Sequence, residues 1–314
     1  MILVTGGYGF LGSEVCKRLD QVSLEYYRFR SSEYDLRDPD QVNRLFQIIK
    51  PTSVIHIGAR LGGIKDNVEN PFNYFSDNLK MGINVVDNCI MQNLDHFIGI
   101  NTACSYPLNA KQPFTENDIN DGLPAEANLY YGLSKRTILN YSEIASKTYK
   151  FKASNLILTN MFGIDDDFNE QTSHVIPALI KKIDIAKENN TKLEVWGNPS
   201  VSRDFMTSEY ASKIITETLI RDIGIGRVNV ASGKSVTIGQ IVSFLCDYFE
   251  FYGAIEWQDD KPTGQPLRSM DVKTLHELFS VKANPFFEDL KTLCDHFVNN
   301  KKEILAKSEI KKFK

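Results

Sequence analysis

A glycine-rich loop directly follows a short apolar run at the start of the chain. Residues 1–5 read MILVT, which predicts a buried strand, and the next seven, GGYGFLG, space Gly6, Gly9 and Gly12 three residues apart. Residues 10–19 have the apolar spacing of an amphipathic helix. A loop between such a strand and helix needs glycine because the turn is tight and backbone amides must approach a pyrophosphate. The segment therefore predicts a dinucleotide-binding strand–loop–helix unit.

The same alternation of strand and helix patterns continues through the first half of the chain. Strands are predicted at residues 24–30, 53–57, 96–101 and 153–158, and helices at residues 39–49, 71–91 and 129–147. Strands alternating with helices at this spacing indicate a parallel sheet with helices on both faces. The fold class expected is α/β, a doubly wound parallel sheet of the Rossmann type with a smaller, interleaved C-terminal domain.

Composition narrows the class of protein. The 314 residues include 36 Lys and Arg against 40 Asp and Glu, a net charge of −4, which argues against a nucleic-acid partner because such proteins usually present a basic surface. No apolar run approaches the ~18 residues that a membrane helix needs, so no membrane association is expected. Five scattered cysteines without a Cys-x-x-Cys pair, and five dispersed histidines, predict a reduced, cytoplasmic protein without a metal site.

The end of the second predicted strand bears on the choice of cofactor. Its sequence contains Arg28 and Arg30 but no carboxylate before Glu33. A carboxylate there would accept hydrogen bonds from the ribose 2′-hydroxyl of NAD, whereas arginine beside small hydroxyl side chains suits the 2′-phosphate of NADP. NADPH is therefore the expected cofactor. The alternative is that both arginines are ordinary surface residues.

A Tyr-x-x-x-Lys motif lies in the helix predicted at residues 129–147. Its four-residue spacing puts Tyr131 and Lys135 on one helical face. A phenol is a weak acid with a reference pKa of about 10, and a neighbouring ammonium is expected to lower that pKa by stabilising the phenolate. Asn101 and Thr102 lie about thirty residues upstream, at the carboxyl end of a predicted strand. Open α/β sheets bind their ligands at that edge, which makes these segments the candidate active site.

These segments give the chain a family resemblance. The glycine loop, the Tyr-x-x-x-Lys motif and a hydroxyl side chain after the fourth strand are similar to the extended short-chain dehydrogenases/reductases. Further segments resemble the GDP-L-fucose synthase family, namely ARLGGI at 59–64, CSYP at 104–107, NMFG at 160–163, SHVIPAL at 173–179, VWG at 195–197 and RDF at 203–205. The resemblance is collinear from residue 1 to about residue 271. It implies epimerisation of GDP-4-keto-6-deoxy-mannose at C3 and C5, followed by NADPH-dependent reduction at C4.

The resemblance also assigns catalytic roles. It implies that Tyr131 protonates the C4 oxygen and that Lys135 tunes it and holds the nicotinamide ribose. Thr102 stands where the family usually has serine. Cys104 and His174 match the family's acid/base pair, which suits the chemistry because a C4 ketone acidifies the C3 and C5 protons and inversion needs two proton-transfer groups. The alternatives are a small buried cysteine and a polar residue at a helix N-terminus or against the nucleotide.

Binding residues follow from the same resemblance. For the cofactor they are Gly6, Gly9, Phe10, Leu11, Gly12, Arg28, Arg30, Asp35, Leu36 and Ala59, together with Tyr131 and Lys135. For the substrate they are Asn160, His174, Val175, Trp196, Arg203 and Arg268.

The chain is expected to form two domains that interleave in sequence. The dinucleotide-binding domain is residues 1–165 with 205–232 returning to it, and the nucleotide-sugar domain is residues 166–204 and 233–314.

Other functions stay open at this point. A regulatory NADPH-sensing protein could use the same fold, although it would not need a working acid. A nucleotide-sugar dehydratase would be expected to have acidic residues beside the catalytic hydroxyl, where this chain has Thr102, Ala103 and Cys104. The stronger alternative is a C4-reductase without epimerisation, acting on a related GDP-4-keto-6-deoxy sugar such as a heptose. Thr102 and Ser105, both departures from the family pattern, motivate it.

A homodimer is the expected assembly. In similar enzymes the helices corresponding to residues 71–91 and 129–147 pair across a two-fold axis, which gives an isologous interface. Ile83, Val86 and Ile138 are apolar residues outside a single core-facing stripe of these helices. They are expected to line that interface.

Overall fold

The computed structural model describes residues 1–149, 151–169, 172–259 and 265–310. The chain divides into two compact units, and each uses three separate stretches of sequence. The first unit consists of Met1–Thr159, Ser208–Ala231 and Met270–Val281, and the second of Asn160–Thr207, Ser232–Ser269 and Lys282–Lys314.

The secondary structure is mixed throughout the described residues. The strands are β1 (Ile2–Thr5), β2 (Tyr26–Arg28), β3 (Ser53–His56), β4 (His96–Thr102), β5 (Lys152–Leu158), β6 (Asn160–Phe162), β7 (Leu193–Trp196), β8 (Ser202–Thr207), β9 (Gly226–Val230), β10 (Ser235–Thr237), β11 (Ile255–Gln258) and β12 (Leu267–Arg268). The helices are α1 (Phe10–Gln21), α2 (Pro39–Ile49), α3 (Ile64–Glu69), α4 (Pro71–Met91), α5 (Leu129–Tyr149), α6 (Val175–Asn189), α7 (Ser208–Arg221), α8 (Ile238–Tyr248), α9 (Lys273–Leu278) and α10 (Phe286–Ile310).

The first unit is built on a six-stranded sheet in the order β2-β1-β3-β4-β5-β9. All neighbouring strands are parallel, and Ile2 is the register partner of both Tyr26 and Ser53. The predicted doubly wound parallel sheet is confirmed. The chain first crosses from β1 to β2 on one side of β1, and it then crosses back to β3 on the other side. The strand order therefore reverses at β1. Ligands of open α/β sheets bind beyond the carboxyl ends of the strands at such a reversal.

Local sequence explains where the helices of this unit begin and end. Pro39 is the first residue of α2, and the Asp38 side chain caps it by accepting from the amides of Asp40 and Gln41. Lys50, in the left-handed conformation, ends the helix. These local signals determine where the helix begins and ends.

The packing of α4 against α5 corrects one expectation. Val86 is fully buried and Ile138 is 3% exposed within the single chain. A Cβ on Gly82 would lie 2.5 Å from the Ile138 side chain, so the two helices approach closely at this point. The prediction that Val86 and Ile138 line an interface between subunits is therefore wrong, because both are buried within one chain, and Ile138 lies against Gly82 of α4. Ile83 is partly exposed.

The second unit has a sheet of its own. Strand β8 pairs with β6, β10 and β12, and β7 pairs in parallel with β11. Helices α6, α8 and α10 pack over a core of aromatic and aliphatic side chains, including the stacked Phe168 and Phe297 rings, whose centroids lie 5.2 Å apart.

The bounds of the two units differ from the predicted domain bounds, most of all in two stretches. The whole stretch Asn160–Thr207 belongs to the second unit, because β6, which begins at Asn160, pairs with β8. Met270–Val281 is part of the first unit. There Met270 pairs with Phe114, and the amide of Asp271 donates to the Phe114 carbonyl across 2.8 Å. These long-range pairings leave no periodic trace in the sequence.

Candidate active site

The glycine-rich loop joins β1 to α1 by a tight turn. Gly6 has a φ of +68°, and the Gly9 amide donates to its carbonyl across 2.9 Å. A Cβ on Gly12 would lie 2.0 Å from the same oxygen, and a Cβ on Gly6 would lie 2.8 Å from the amide nitrogen of Gly58. The backbone itself therefore requires glycine at these positions. The N-terminus of the twelve-residue helix α1 is thereby brought to the sheet edge, where it can stabilise a pyrophosphate.

Tyr8, inside this loop, contacts both predicted phosphate-binding arginines. The guanidinium carbons of Arg28 and Arg30 lie 4.3 and 4.1 Å from its ring centroid. Arg28 also donates to the Gly7 carbonyl (3.1 Å), and a Cβ on Gly7 would lie 2.7 Å from the Arg28 Cβ. Arg28 is thus built into the loop, whereas Arg30 is exposed. Two cations beside a helix N-terminus suit an anionic 2′-phosphate.

The other predicted cofactor residues surround the same sheet edge. Four of them are buried or half-buried: Phe10, Leu11, Leu36 and Ala59. Asp35 differs because Arg37 binds its carboxylate with an Nη2–Oδ2 distance of 2.7 Å. This hydrogen bond holds the pKa of Asp35 below its usual value. Because Arg37 neutralises the charge of Asp35, this carboxylate adds little electrostatic repulsion toward a phosphate bound nearby.

Strand β4 and helix α5 carry three predicted catalytic side chains. The hydroxyl oxygen of Thr102 accepts from the Cys104 amide (3.2 Å). Lys135 is 3% exposed, and burial lowers the pKa of its ammonium to about 8. The pKa of Tyr131 moves opposite to the prediction: burial raises it, and Cys104 and Tyr74 raise it further. Loss of water around the phenol disfavours the phenolate, so Tyr131 is protonated at neutral pH and suited to donate a proton.

A buried histidine near Lys135 escaped the sequence-based prediction. The Thr5 hydroxyl oxygen accepts from the amides of Ile57 (3.1 Å) and Gly58 (3.0 Å) and lies 2.9 Å from Nδ1 of His56. With both acceptor positions used, the hydroxyl donates to Nδ1, which leaves the His56 proton on Nε2. Burial and then Lys135 lower the pKa of His56 to about 3. The imidazole is therefore neutral and adds no positive charge beside Lys135.

The loop that carries Cys104 is held by several contacts against the helix that carries the predicted catalytic tyrosine, Tyr131. A Cβ on Gly132 would lie 2.4 Å from the Cys104 carbonyl oxygen, and the Ser105 hydroxyl donates to the Gly132 carbonyl (3.1 Å). The buried Arg136 guanidinium donates to the Ser105 carbonyl through Nε (2.9 Å) and Nη2, and to the Gly122 carbonyl (2.6 Å). These contacts fix the backbone of the cysteine relative to α5. Nothing in the local sequence pattern indicates them.

Tyr74 is a second neighbour of Tyr131. Its fully buried ring meets the Tyr131 ring edge-on, with centroids 6.3 Å apart. The Tyr74 hydroxyl donates to Asp66 (2.5 Å), and the Arg60 guanidinium lies 5.4 Å from its ring centroid. Tyr74 therefore supports the Tyr131 ring from α4.

His174 lies in the second unit, immediately before α6. Its side chain is 60% exposed, and its Nδ1 lies 3.0 Å from Oδ1 of Asp166, whose side chain is 1% exposed. The hydrogen bond to Asp166 is the main reason that the pKa of His174 is raised above its usual value. The pattern of the sequence did not single out Asp166.

Of the predicted substrate residues in the second unit, two have exposed side chains and another is hydrogen-bonded between strands. Val175 and Trp196 are 40% and 63% exposed, and the ammonium of Lys182 lies 5.1 Å from the Trp196 ring centroid. Asn160 instead donates to the Asp204 carbonyl (2.9 Å), so part of its hydrogen-bonding capacity holds β6 to β8.

Two arginines are paired across neighbouring strands of this unit. Arg268 of β12 is the register partner of Arg203 of β8. Arg203 donates to the Ser202 carbonyl (2.8 Å), and Arg268, 8% exposed, donates to the Gln265 side chain (3.2 Å). Two guanidinium groups at neighbouring positions of a sheet are chemically suited to bind an anion such as a diphosphate.

The structure thus distributes the predicted residues over the two units. Thr102, Cys104, Tyr131 and Lys135 lie in the first; Asn160, His174, Val175, Trp196, Arg203 and Arg268 lie in the second. Among the residues that the structure describes, no three His, Cys, Asp or Glu side chains are grouped so as to hold a metal ion. None of the described helices has the length and apolar character needed to cross a membrane.

The parallel sheet, the glycine loop at its switch point and the Tyr-x-x-x-Lys helix define a dinucleotide-dependent enzyme of the extended short-chain dehydrogenase/reductase type. The NAD dependent epimerase/dehydratase family matches residues 2–221. The chain belongs to this family.

Individual relatives match nearly the whole chain. A GDP-L-colitose synthase from Yersinia pseudotuberculosis is 28% identical over 303 residues, which cover 96% of this chain and 98% of that protein. A GDP-L-fucose synthase from Dictyostelium discoideum is 28% identical over 305 residues, 95% of each chain. The crystal structure of a GDP-L-fucose synthetase from Naegleria fowleri bound to NADP superposes with a TM-score of 0.86 at 26% identity, covering 96% of this chain and 93% of that one.

Proposed function

We propose that the protein reduces C4 of a GDP-linked 4-keto-6-deoxy sugar with NADPH, after epimerising C3 and C5. The names of the colitose and fucose synthases support a GDP-sugar substrate, and the NADP-bound neighbour supports the cofactor. The observation that carries the proposal is the fastening of the Cys104 loop to α5 beside Tyr131. These contacts support the proposal, because they hold the segment of the thiol proposed for one reaction against the helix of the phenol proposed for the other.

The cofactor residues fit NADPH. The glycine loop and the N-terminus of α1 would hold the pyrophosphate, and Arg30 with Arg28 would hold the 2′-phosphate. The buried Lys135 ammonium would donate to the nicotinamide ribose. Bound NADPH supplies the hydride for C4.

Epimerisation uses acidity that the substrate already has. The C4 ketone acidifies the protons on C3 and C5, and the Cys104 thiolate would remove one of them to leave an enolate. His174, as imidazolium, would return a proton to the opposite face of the same carbon, which inverts it. In the reduction, Tyr131 gives its phenolic proton to the C4 oxygen while the Thr102 hydroxyl donates a hydrogen bond to it. The products are the C4 alcohol and NADP⁺.

Substrate binding would use the second unit. The paired Arg203 and Arg268 suit the diphosphate, and the exposed Trp196 ring suits stacking on the guanine base. Val175 and Asn160 are proposed to contact the nucleotide and the sugar. Epimerisation and reduction can be measured separately, because enolisation needs no hydride.

Deuterium exchange tests this proposal. Wild-type protein without NADPH should incorporate deuterium from D2O into C3 and C5 of a GDP-4-keto-6-deoxy sugar. Cys104→Ser should slow that exchange strongly, because a hydroxyl is a far weaker acid than a thiol of reference pKa ~8.5 and gives a much smaller anionic fraction. Both proteins should reduce an already epimerised substrate.

The second candidate is a C4-reductase without epimerisation, on a related sugar such as a heptose. Thr102 favours it, since it departs from the family pattern at the carboxyl end of β4. Ser105, the other departure from that pattern, is buried, and its hydroxyl donates to the Gly132 carbonyl. Rapid NADPH oxidation by a wild type that takes up no deuterium would establish this candidate and refute the first.

We also propose a homodimer in the cytoplasm. Large apolar side chains on α4 and α5 are exposed, with Phe72 at 76%, Ile144 at 65% and Tyr130 at 47%. A second copy of the chain would cover such a surface. The five cysteines are free thiols, which supports a reducing compartment.

A further inference from the structure

The contact between His174 and Asp166 differs from an ordinary surface ion pair, because its carboxylate is buried and held by the backbone. Asp166 is 1% exposed at its side chain, and its Oδ1 accepts both from the Asp167 amide (2.8 Å) and from the His174 ring (3.0 Å). The Asp166 amide in turn donates to the Gly163 carbonyl (3.1 Å). A carboxylate fixed by the backbone in this way sets the orientation of the imidazole that it binds.

The chemistry of the two groups fixes the tautomer. An ionised carboxylate can only accept, so Nδ1 of His174 carries the proton directed to Asp166. The nitrogen that does not face Asp166 is Nε2, on a side chain that is 60% exposed. Proton exchange with a sugar would therefore take place at Nε2, with Nδ1–H held throughout.

We propose that Asp166 is a positioning residue that keeps His174 in the orientation and protonation state needed to deliver the second proton of epimerisation. This inference rests on the proposed function. Asp166 would not contact the sugar itself; it would act through the imidazole. The arrangement is the one by which a buried carboxylate orients a catalytic histidine and stabilises its imidazolium.

The charges around the imidazole support this assignment. Among the described residues, the negative groups that act on His174 are Asp166, through the hydrogen bond, and Asp167. Loss of solvent around the imidazole opposes them and lowers the pKa of His174. The N-terminus of α6 acts in the same direction, since His174 is its N-cap residue and the positive end of a helix disfavours a cation there. The buried Asp166 carboxylate offsets these influences and favours the imidazolium.

The test substitutes Asp166→Asn, which keeps the shape of the side chain and removes its charge. The matched control is Asp165→Asn, because the exposed neighbour carries the same charge one residue away. The first readout is the pKa of His174 from an NMR titration, with its signal assigned among five histidines by its loss in His174→Asn. The second readout is the pH profile of deuterium uptake at C3 and C5, and the third is NADPH-dependent reduction of an epimerised sugar.

In Asp166→Asn the pKa of His174 should fall by about one unit, and the pH at which deuterium uptake declines should fall with it. At a pH above the pKa of His174, uptake should drop about tenfold, because a pKa lower by one unit leaves about a tenth of the imidazolium. Reduction of the epimerised sugar should stay within twofold of wild type, which also shows that the variant is folded. Asp165→Asn should match the wild type in all three measurements.

Two results would overturn the inference, and they differ from failure of the proposed function. An unchanged His174 pKa in Asp166→Asn refutes the pairing, and a lowered pKa with an unshifted exchange profile refutes its role in proton transfer. Absence of deuterium uptake by the wild type refutes the proposed epimerisation itself, whatever the titration gives.

Discussion

Arg30 is expected to be the residue that discriminates NADPH from NADH. It is exposed, stacks on Tyr8 at 4.1 Å and accompanies Arg28, which is committed to the Gly7 carbonyl. Replacing Arg30 by alanine removes one charge-assisted contact to a 2′-phosphate and leaves the loop backbone unchanged. NADH has no group for that contact, so its use should barely change.

The size of the effect follows from these contacts. Hydrogen bonds to charged groups contribute about 1.5–3 kcal/mol, and exposure of Arg30 to solvent places it near the lower end of that range. About 1.5 kcal/mol corresponds to a roughly tenfold loss of kcat/KM for NADPH. Tyr8→Ala removes the ring that orders the guanidinium, a cation–π contact of about 0.5–1 kcal/mol, and should cost NADPH only about two- to fivefold.

The assay compares kcat/KM for NADPH and NADH in the wild type, Arg30→Ala and Tyr8→Ala. Arg44→Ala is the control, since Arg44 is an exposed arginine of α2 and its loss changes the net charge equally. NADPH fluorescence in the absence of sugar gives the dissociation constant independently. Equal losses with both cofactors, or an unchanged preference for NADPH in Arg30→Ala, would refute the assignment of Arg30 to the 2′-phosphate.

Three further outcomes are expected. Tyr131→Phe should lower reduction ~100- to 10,000-fold with little change in NADPH affinity, and retention of more than a tenth of wild-type turnover would contradict its role as the acid. Burial raises the pKa of Asp204 to about 6, above the unfolded value of about 3.9, so the folded protein binds this proton more tightly and should lose stability as pH rises from about 4 to 6. Urea unfolding from pH 4.5 to 7.5 should show the wild type losing on the order of 2 kcal/mol more than Asp204→Asn, and parallel pH dependences would argue against it. Light scattering at micromolar concentration should give twice the mass of the chain for the wild type and less for Phe72→Glu; a single-chain mass for the wild type would count against the dimer.

Much of the first unit could be predicted from sequence because its signals are local. The positive φ of Gly6 and the close approach of Gly12 to the Gly6 carbonyl both lie within seven residues, whereas the contact of Gly6 with Gly58 depends on the neighbouring strand. The helices α2 and α4 begin and end where the sequence predicts, since proline and apolar periodicity act within a few turns. The Tyr131 and Lys135 pair is likewise set by helical spacing alone.

The surroundings of the predicted catalytic residues were decided only by tertiary structure. Arg136 reaches the Ser105 carbonyl, Asp166 reaches His174, and burial reverses the expected pKa direction of Tyr131. Each of these depends on strand register or on the packing of residues distant in sequence, which periodicity does not record.

The two apolar stripes of α4 and α5 illustrate the limit most clearly. Periodicity revealed a second apolar stripe, but not whether it faces a neighbouring helix of the same chain or another copy. In the folded chain Val86 and Ile138 are buried, while Phe72 and Ile144 are exposed. The hydrophobic effect depends on the apolar area removed from water and not on which chain covers that area. The sequence therefore determined that these side chains are apolar. Only the tertiary structure decided which of them remain exposed on the single chain.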